Sequence, residues 1–149
     1  MTQDEYVRAV MHVLSQHTER AAAQLSKALE LLPEKSKDVT IDIMVDQGVE
    51  GFLTVQVGVN GPDLYVLNKA IALHAKLFDT VMIETAMQPD LPLMDINEDA
   101  FSVGDVLTDC GAKWATEVWE KIKHEACRLP VNVTSPEGYG TCLPICLQR

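Results

Sequence analysis

Four residues in the last quarter of the chain, His124, Cys127, Cys142 and Cys146, are of types that bind zinc. A zinc finger, however, pairs its ligands closely on both sides of the metal. On one extended strand, Cys142 and Cys146 would stand roughly 13 Å apart, at ~3.3 Å per residue, which is too far for one ion unless the strand breaks at Pro144. We therefore interpret these cysteines and Cys110 as reduced thiols, and we predict no metal site and no cofactor.

A second candidate metal site is the segment 95–99, which begins like a calcium-binding loop with the pattern D-x-N-x-D. The later positions of that loop do not fit. Ala100 stands where the loop needs a turning glycine, and Val106 stands where it needs a bidentate glutamate. The segment is therefore interpreted as a solvated acidic loop.

Catalytic residue types are present, but not in a catalytic pattern. His17 and His74 could act as general bases, yet each falls on an apolar stretch typical of a core histidine. Asp42 and Asp46 are four residues apart on a predicted strand, too far apart to share a proton. The sequence contains no phosphate-binding loop, dinucleotide fingerprint, nucleophile elbow or H-E-x-x-H motif. We therefore expect a protein that is not an enzyme.

The strongest signal is charge. The net charge is −10, and residues 77–112, here called the acidic segment, carry eight acidic residues and no Lys or Arg. Such a field repels nucleic acid and anionic membranes and attracts a basic protein. Three apolar side chains between or beside the prolines of this segment could anchor a partner inside an acidic rim. The predicted partner-binding residues are Asp90, Leu91, Leu93, Met94, Asp95, Glu98 and Asp99, with Asp42 and Asp46 on the neighbouring hairpin.

The chain that must position these residues reads as one α+β domain over residues 1–149. Apolar and polar residues alternate over 39–45 and 53–59, which predicts an antiparallel hairpin. Three helices are predicted. The first runs from a Thr2 capping box to before Pro33, the second covers 64–78 and would be central and buried, and the third covers 102–127. Further strands are expected at 81–83, 131–133 and 141–147, the last restricted by Pro144 to a sheet edge or a bulge. The predicted fold is an antiparallel sheet of about four strands, formed by two hairpins, with three helices on one face, in the order α-ββ-α-α-ββ.

The sequence shows no secretory signal and no apolar run long enough to cross a bilayer, so a cytoplasmic location is expected. In size, acidity and lack of catalytic motifs, the chain resembles the bacterial immunity proteins that neutralise toxins, often nucleases. That resemblance implies a non-catalytic inhibitor that binds a basic partner. One alternative is a small enzyme or ligand-binding domain with a pocket near Trp114 and His74. Another is a structural or self-assembling module that pairs through the Pro144-containing edge strand or the apolar loop.

Overall fold

A computed structural model describes residues 2–45, 52–84, 86–92, 101–122 and 127–149 of the chain. Within these residues the helices are α1 (Gln3–Ser15), α2 (Thr18–Glu30), α3 (Leu64–Ile71) and α4 (Val103–Glu120), and a short 3₁₀ turn follows α3 at Ala72–His74. The strands are β1 (Asp38–Val45), β2 (Leu53–Asn60), β3 (Lys76–Asp79), β4 (Val81–Ile83), β5 (Ala86–Gln88), β6 (Val131–Thr134) and β7 (Ile145–Gln148). No helix in these parts of the chain is long and apolar enough to cross a membrane.

The main sheet has five strands in the order β3-β2-β1-β6-β7, and β4 and β5 form a separate two-stranded hairpin. The α+β class is confirmed. The prediction of a purely antiparallel sheet was wrong, because β1 pairs in parallel with β6, with Val39 beside Val131 and Ile41 beside Val133. The first predicted hairpin is confirmed as β1 and β2, which pair from Asp38 opposite Asn60 to Val45 opposite Leu53.

The core lies between one face of this sheet and the helices. Alternate residues of β1 and β2 are buried, as their period-two pattern predicts. Helix α4 packs directly on β1, β2 and β6, α2 packs on α4 and β3, and α1 packs on α4. The fit is close at Gly111 of α4, where a Cβ atom would lie only 2.9 Å from the Ile43 side chain. On the other face, the side chains of Asp42, Thr54 and Gln56 are half-buried, as expected for an open face.

All three predicted helices differ from the observed ones; the third, predicted over 102–127, is α4, which ends at Glu120. The long N-terminal helix is two helices separated at Gln16 and His17, so the described residues form four helices rather than three. The Thr18 hydroxyl at the start of α2 accepts a hydrogen bond from the buried Trp114 indole at 3.1 Å, a tertiary contact that the helical periodicity does not reveal. The predicted helix over 64–78 ends at Ile71, and its last part is β3, which pairs with β2.

Candidate functional site

Three carboxylates of the acidic segment are used to hold the fold together. Asp79 accepts a hydrogen bond from the Thr54 hydroxyl at 2.7 Å and pairs with the Lys76 ammonium at 3.1 Å. Asp105, in the first turn of α4, accepts from the backbone N–H of Gly140 at 2.8 Å. Asp109, one turn later, holds the next two residues of the same loop. These three groups therefore contribute negative charge, and each already accepts at least one hydrogen bond within the fold.

Asp109 makes the most contacts of the three. It accepts from the backbone N–H and the hydroxyl of Thr141 at 2.8 and 2.6 Å, and from the backbone N–H and thiol of Cys142 at 3.3 and 3.2 Å. Burial acts to raise the pKa of Asp109, but the hydrogen bonds from Thr141 and Cys142 outweigh it, so the pKa lies below its ordinary value. Asp109 is therefore a charged clamp between α4 and the loop 140–142.

The predicted partner-binding residues have different positions. Asp90 is exposed, whereas Leu91 is 1% exposed and belongs to the core, so in this structure its side chain is not part of the surface. Asp42 lies on the open face of the sheet, where it accepts a hydrogen bond from the Thr134 hydroxyl at 2.6 Å. The other predicted residues lie outside the described parts of the chain: Asp46, Leu93, Met94, Asp95, Glu98 and Asp99.

Exposed apolar side chains do occur in the acidic segment, but on the β4–β5 hairpin. Val81 and Ile83 are two residues apart on β4, and they are 45% and 56% exposed. Gln88 and Ala86 lie directly opposite them on β5 and are also exposed, so the four share one face. Met87, on the other face of β5, is buried at 4%. Val81, Ile83, Ala86 and Gln88 are here called the hairpin surface.

Acidic residues border the hairpin surface in the sequence. Glu84 follows β4, is exposed and has a left-handed backbone with φ of 59°. Asp90 follows β5 by two residues and is also exposed. The sequence indicated this arrangement through the alternation of Val81 and Ile83, which was predicted as a strand and is confirmed as β4. What the sequence missed was that these two side chains, rather than Leu91, face solvent.

A second exposed region surrounds α3, which was predicted to be central and buried. Leu67 and Ile71 are buried, but Tyr65, Val66 and Leu73 are 74%, 56% and 88% exposed. Asn68 fixes α3 at the edge of β2, because its carboxamide accepts from the Val59 N–H at 2.9 Å and donates to the Val59 carbonyl at 3.0 Å. β3 pairs with β2 only as far as Gln56. Beyond it, the Asn68 side chain makes the hydrogen bonds with Val59 that a neighbouring strand would otherwise make, and this holds α3 at the sheet edge.

A groove of about 420 Å³ runs between α3 and the sheet edge. Its walls combine two lysines, two carboxamides, an aromatic ring and small apolar groups: Gln56, Val57, Tyr65, Asn68, Lys69, Ala72, Ala75 and Lys76. The Lys69 ammonium lies 5.8 Å from the centre of the Tyr65 ring. The groove was not predicted, because it depends on the chain turning from helix to strand after His74.

The residues considered for an alternative pocket have structural partners. Trp114 is fully buried, with its ring edge-on to Phe78 at 5.8 Å between centroids and its N–H bonded to Thr18. His74 Nδ1 lies 2.7 Å from the Gln24 side-chain oxygen. His17 packs edge-on against Phe78 at 5.3 Å, and no hydrogen bond orients its ring among the described residues. A catalytic base needs such an orienting contact to hold its tautomer.

Neither Cys110 nor Cys142 is an activated nucleophile, and the described parts of the chain contain no metal site. Burial, with the nearby Asp109 charge, raises the pKa of Cys110 to about 11. Burial and the hydrogen bond to Asp109 also raise the pKa of Cys142. A raised pKa favours the unreactive thiol over the thiolate. No group of three His, Cys, Asp or Glu side chains among the described residues is placed to hold a metal ion, and His124 lies outside those residues.

Comparison with known proteins identifies a family without assigning an activity. The model of the family of unknown function DUF6389 matches residues 1–149, and the chain belongs to this family. No curated protein and no solved structure matches the chain. The function must therefore be inferred from the surfaces described above.

Proposed function

We propose that this member of the DUF6389 family is a non-catalytic protein-binding domain, an inhibitor of the immunity or antitoxin type that neutralises a basic partner such as a bacterial toxin nuclease. The observation that carries the proposal is the hairpin surface, where Val81 and Ile83 are exposed together inside a 36-residue segment without a single Lys or Arg. Exposed apolar groups bordered by charge of one sign are typical of a protein-binding surface.

The apolar part of this surface can account for only a fraction of the affinity. Full burial of a Val or Ile side chain stabilises by roughly 1.5–3 kcal/mol. Since Val81 and Ile83 are about half exposed, the two together offer about 1.5–3 kcal/mol. Tight binding requires roughly 12 kcal/mol for a nanomolar complex. The predicted residues of the 90–99 stretch and the long-range field must therefore contribute.

The charge has its main effect on the rate of association. A net charge of −10 attracts a basic partner before contact, and this attraction raises the association rate most strongly at low salt. Because Asp79, Asp105 and Asp109 are occupied within the fold, we assign direct partner contacts to Glu84, Asp90 and the predicted Asp95, Glu98 and Asp99. The bound partner would have its substrate-binding groove masked by these carboxylates.

The experiment compares matched variants in capture from a lysate of the source cells. The hairpin variant carries Val81→Ser and Ile83→Ser, and its control carries Leu31→Ser and Leu73→Ser, which are exposed apolar residues elsewhere. A second pair tests charge: Glu84→Lys with Asp90→Lys, against Glu34→Lys with Glu117→Lys, all exposed positions. We expect both controls to retain a basic protein that both test variants lose. Equal recovery by test and control variants would place the interface elsewhere.

A further variant and a kinetic measurement test the finer parts of the proposal. Asp95→Asn, Glu98→Gln and Asp99→Asn together should weaken capture if the predicted loop contributes to the surface. With the purified partner, the association rate should fall steeply between about 50 mM and about 500 mM salt, since the screening length shortens over this range. An association rate that does not change with salt would contradict a basic partner.

A further inference from the structure

We infer that the groove between α3 and the edge formed by β2 and β3 is a binding site for a small organic anion, one that carries a carboxylate or phosphate on an apolar or aromatic body. The groove shares no lining residue with the hairpin surface. Loss of anion binding and loss of partner capture are therefore separable results.

The positive charge of the groove stands out in the sequence. Lys69 and Lys76 are the only Lys or Arg residues between Lys37 and Lys113, a span of 75 residues that contains most of the acidic residues. Both of them line this one groove, Lys69 from α3 and Lys76 from β3. Two ammonium groups that line one groove can both contact one anion.

The other lining groups suit an organic body attached to that anion. Ala72 is exposed and provides apolar surface, whereas Val57 and Ala75 are only 1% and 6% exposed and add little; the Tyr65 ring, 74% exposed, is available for stacking. The Gln56 carboxamide lies opposite Lys76 across the β2–β3 pair, and it has no hydrogen-bond partner among the described residues. It can therefore donate to a ligand oxygen.

Asn68 plays a different role from Gln56. Its carboxamide is engaged by both backbone groups of Val59 and by the Leu64 carbonyl at 2.8 Å. We therefore assign it to positioning α3, and hence the Lys69 wall, rather than to contacting the ligand.

Screening explains why a small anion is favoured over a nucleic acid on a protein with a net charge of −10. At physiological salt the screening length is about 8 Å, so a small anion in the groove responds mainly to the two adjacent lysines. A nucleic acid would bring many phosphates against the surrounding acidic surface and would need many more cations.

One competitor for the anion is built into the fold. The Lys76 ammonium is 3.1 Å from an Asp79 oxygen, and Lys76 remains 61% exposed, so a ligand must share this ammonium with Asp79. Removing the Asp79 charge should therefore strengthen anion binding, while removing either lysine charge should weaken it. A merely apolar groove would show neither response.

The experiment is a titration of the ¹⁵N-labelled chain, followed by amide chemical shifts, with phenyl phosphate, benzoate, inorganic phosphate and the neutral benzyl alcohol. We expect saturable shifts at Val57, Lys69 and Ala72 with one or both aromatic anions, and the tighter of the two identifies the acidic group. Lys69→Gln and Lys76→Gln should each weaken binding on the order of fivefold, and Asp79→Asn should tighten it on the order of twofold. Lys27→Gln, an exposed lysine elsewhere, is the matched control.

Four results would overturn the inference. Benzyl alcohol binding as tightly as the anions would show an apolar site without charge recognition. Inorganic phosphate binding as tightly as phenyl phosphate would show that the organic body contributes nothing. The third result is that neither aromatic anion, at millimolar concentration, changes the amide chemical shifts of the groove residues. The fourth is that Lys27→Gln loses as much affinity as Lys69→Gln and Lys76→Gln. The same spectra report whether each variant remains folded.

Discussion

The clamp formed by Asp109 gives the sharpest test of the physical reasoning. One carboxylate on α4 accepts four hydrogen bonds from Thr141 and Cys142. In Asp109→Asn, one oxygen remains an acceptor, and the other is replaced by an NH₂ group that cannot accept the Thr141 hydroxyl proton. The substitution keeps the size of the side chain and removes the charge.

The magnitude follows from the change in hydrogen-bond type. Hydrogen bonds to a charged group contribute about 1.5–3 kcal/mol each and neutral ones about 0.5–1.5 kcal/mol, when buried. Thr141 and Cys142 are exposed, so solvent competes for all four contacts and the lower ends apply. We expect Asp109→Asn to lower the free energy of unfolding by about 1 kcal/mol at neutral pH.

The pH dependence fixes the sign of the effect. The pKa of Asp109 is lowered in the folded chain, because the hydrogen bonds outweigh the opposing effect of burial. A lowered carboxylate pKa stabilises the fold above the unfolded value of about 3.9, and this stabilisation is lost as pH falls through the folded pKa. Asparagine does not titrate, so the stability difference between the wild type and Asp109→Asn should narrow at acid pH.

The measurement is urea unfolding of both chains at about pH 7 and about pH 3, followed by far-UV circular dichroism. Asp90→Asn is the control, since Asp90 is exposed and has no hydrogen bond among the described residues. That substitution should change the free energy of unfolding by less than about 0.5 kcal/mol. The clamp would be refuted if the wild type and Asp109→Asn differed in free energy of unfolding by the same amount at both pH values. It would also be refuted if Asp90→Asn lowered the free energy of unfolding as much as Asp109→Asn.

Three further substitutions test the packing, each by urea unfolding against the wild type. Gly111→Ala places a Cβ 2.9 Å from the Ile43 side chain. The overpacking cost of about 1–3 kcal/mol exceeds the gain in helix propensity of about 1 kcal/mol, so we expect a lower free energy of unfolding. A gain in stability would show that the Ile43 side chain moves aside freely. Asn68→Leu leaves the Val59 N–H and carbonyl unpaired and should cost about 1–3 kcal/mol, with faster hydrogen exchange at Val59; unchanged exchange would rule out this role. Leu91→Ala should lower the free energy of unfolding by about 2–4 kcal/mol, because Leu91 is in the core. A decrease below about 0.5 kcal/mol would show that the Leu91 side chain is not buried.

Local sequence signals predicted the elements whose structure is set locally. The alternation in β1 and β2 identified both strands and their pairing. The Thr2 and Ser102 caps are observed, with hydrogen bonds from the Glu5 and Asp105 amides at 3.2 and 3.3 Å. Pro144 was expected to confine its strand to an edge or a bulge; β7 begins after it, at Ile145, and is one of the two edge strands of the main sheet. For the two caps, the deciding hydrogen bond joins residues three apart in the sequence.

The errors arose where a distant partner decides the structure. The apolar run that includes Leu77 and Phe78 fits a helix as well as a strand, and the free edge of β2 determines that it becomes β3. The parallel pairing of β1 with β6 joins residues about ninety positions apart, such as Asp42 and Thr134. No local pattern records such a pairing.

In the candidate site, too, some features could be predicted from the sequence and others depend on residues that are distant in the chain. The sequence gives the number and sign of the charges in the acidic segment, and therefore the class of partner that we propose. It does not reveal that Asp105 and Asp109 are used by the loop 140–142. Nor does it reveal that Lys69 and Lys76 line one groove, although their isolation between Lys37 and Lys113 was visible in the sequence.

The central position of β1 has a consequence for the order of folding during synthesis. One edge of β1 is covered by β2, which emerges from the ribosome soon after it, but the other edge waits for β6, at residues 131–134. A nascent chain that ends before residue 131 therefore carries a long, apolar strand with an open edge, which is a template for aggregation. Truncated products and stalled chains of this protein should need chaperones, whereas the finished chain closes that edge by itself.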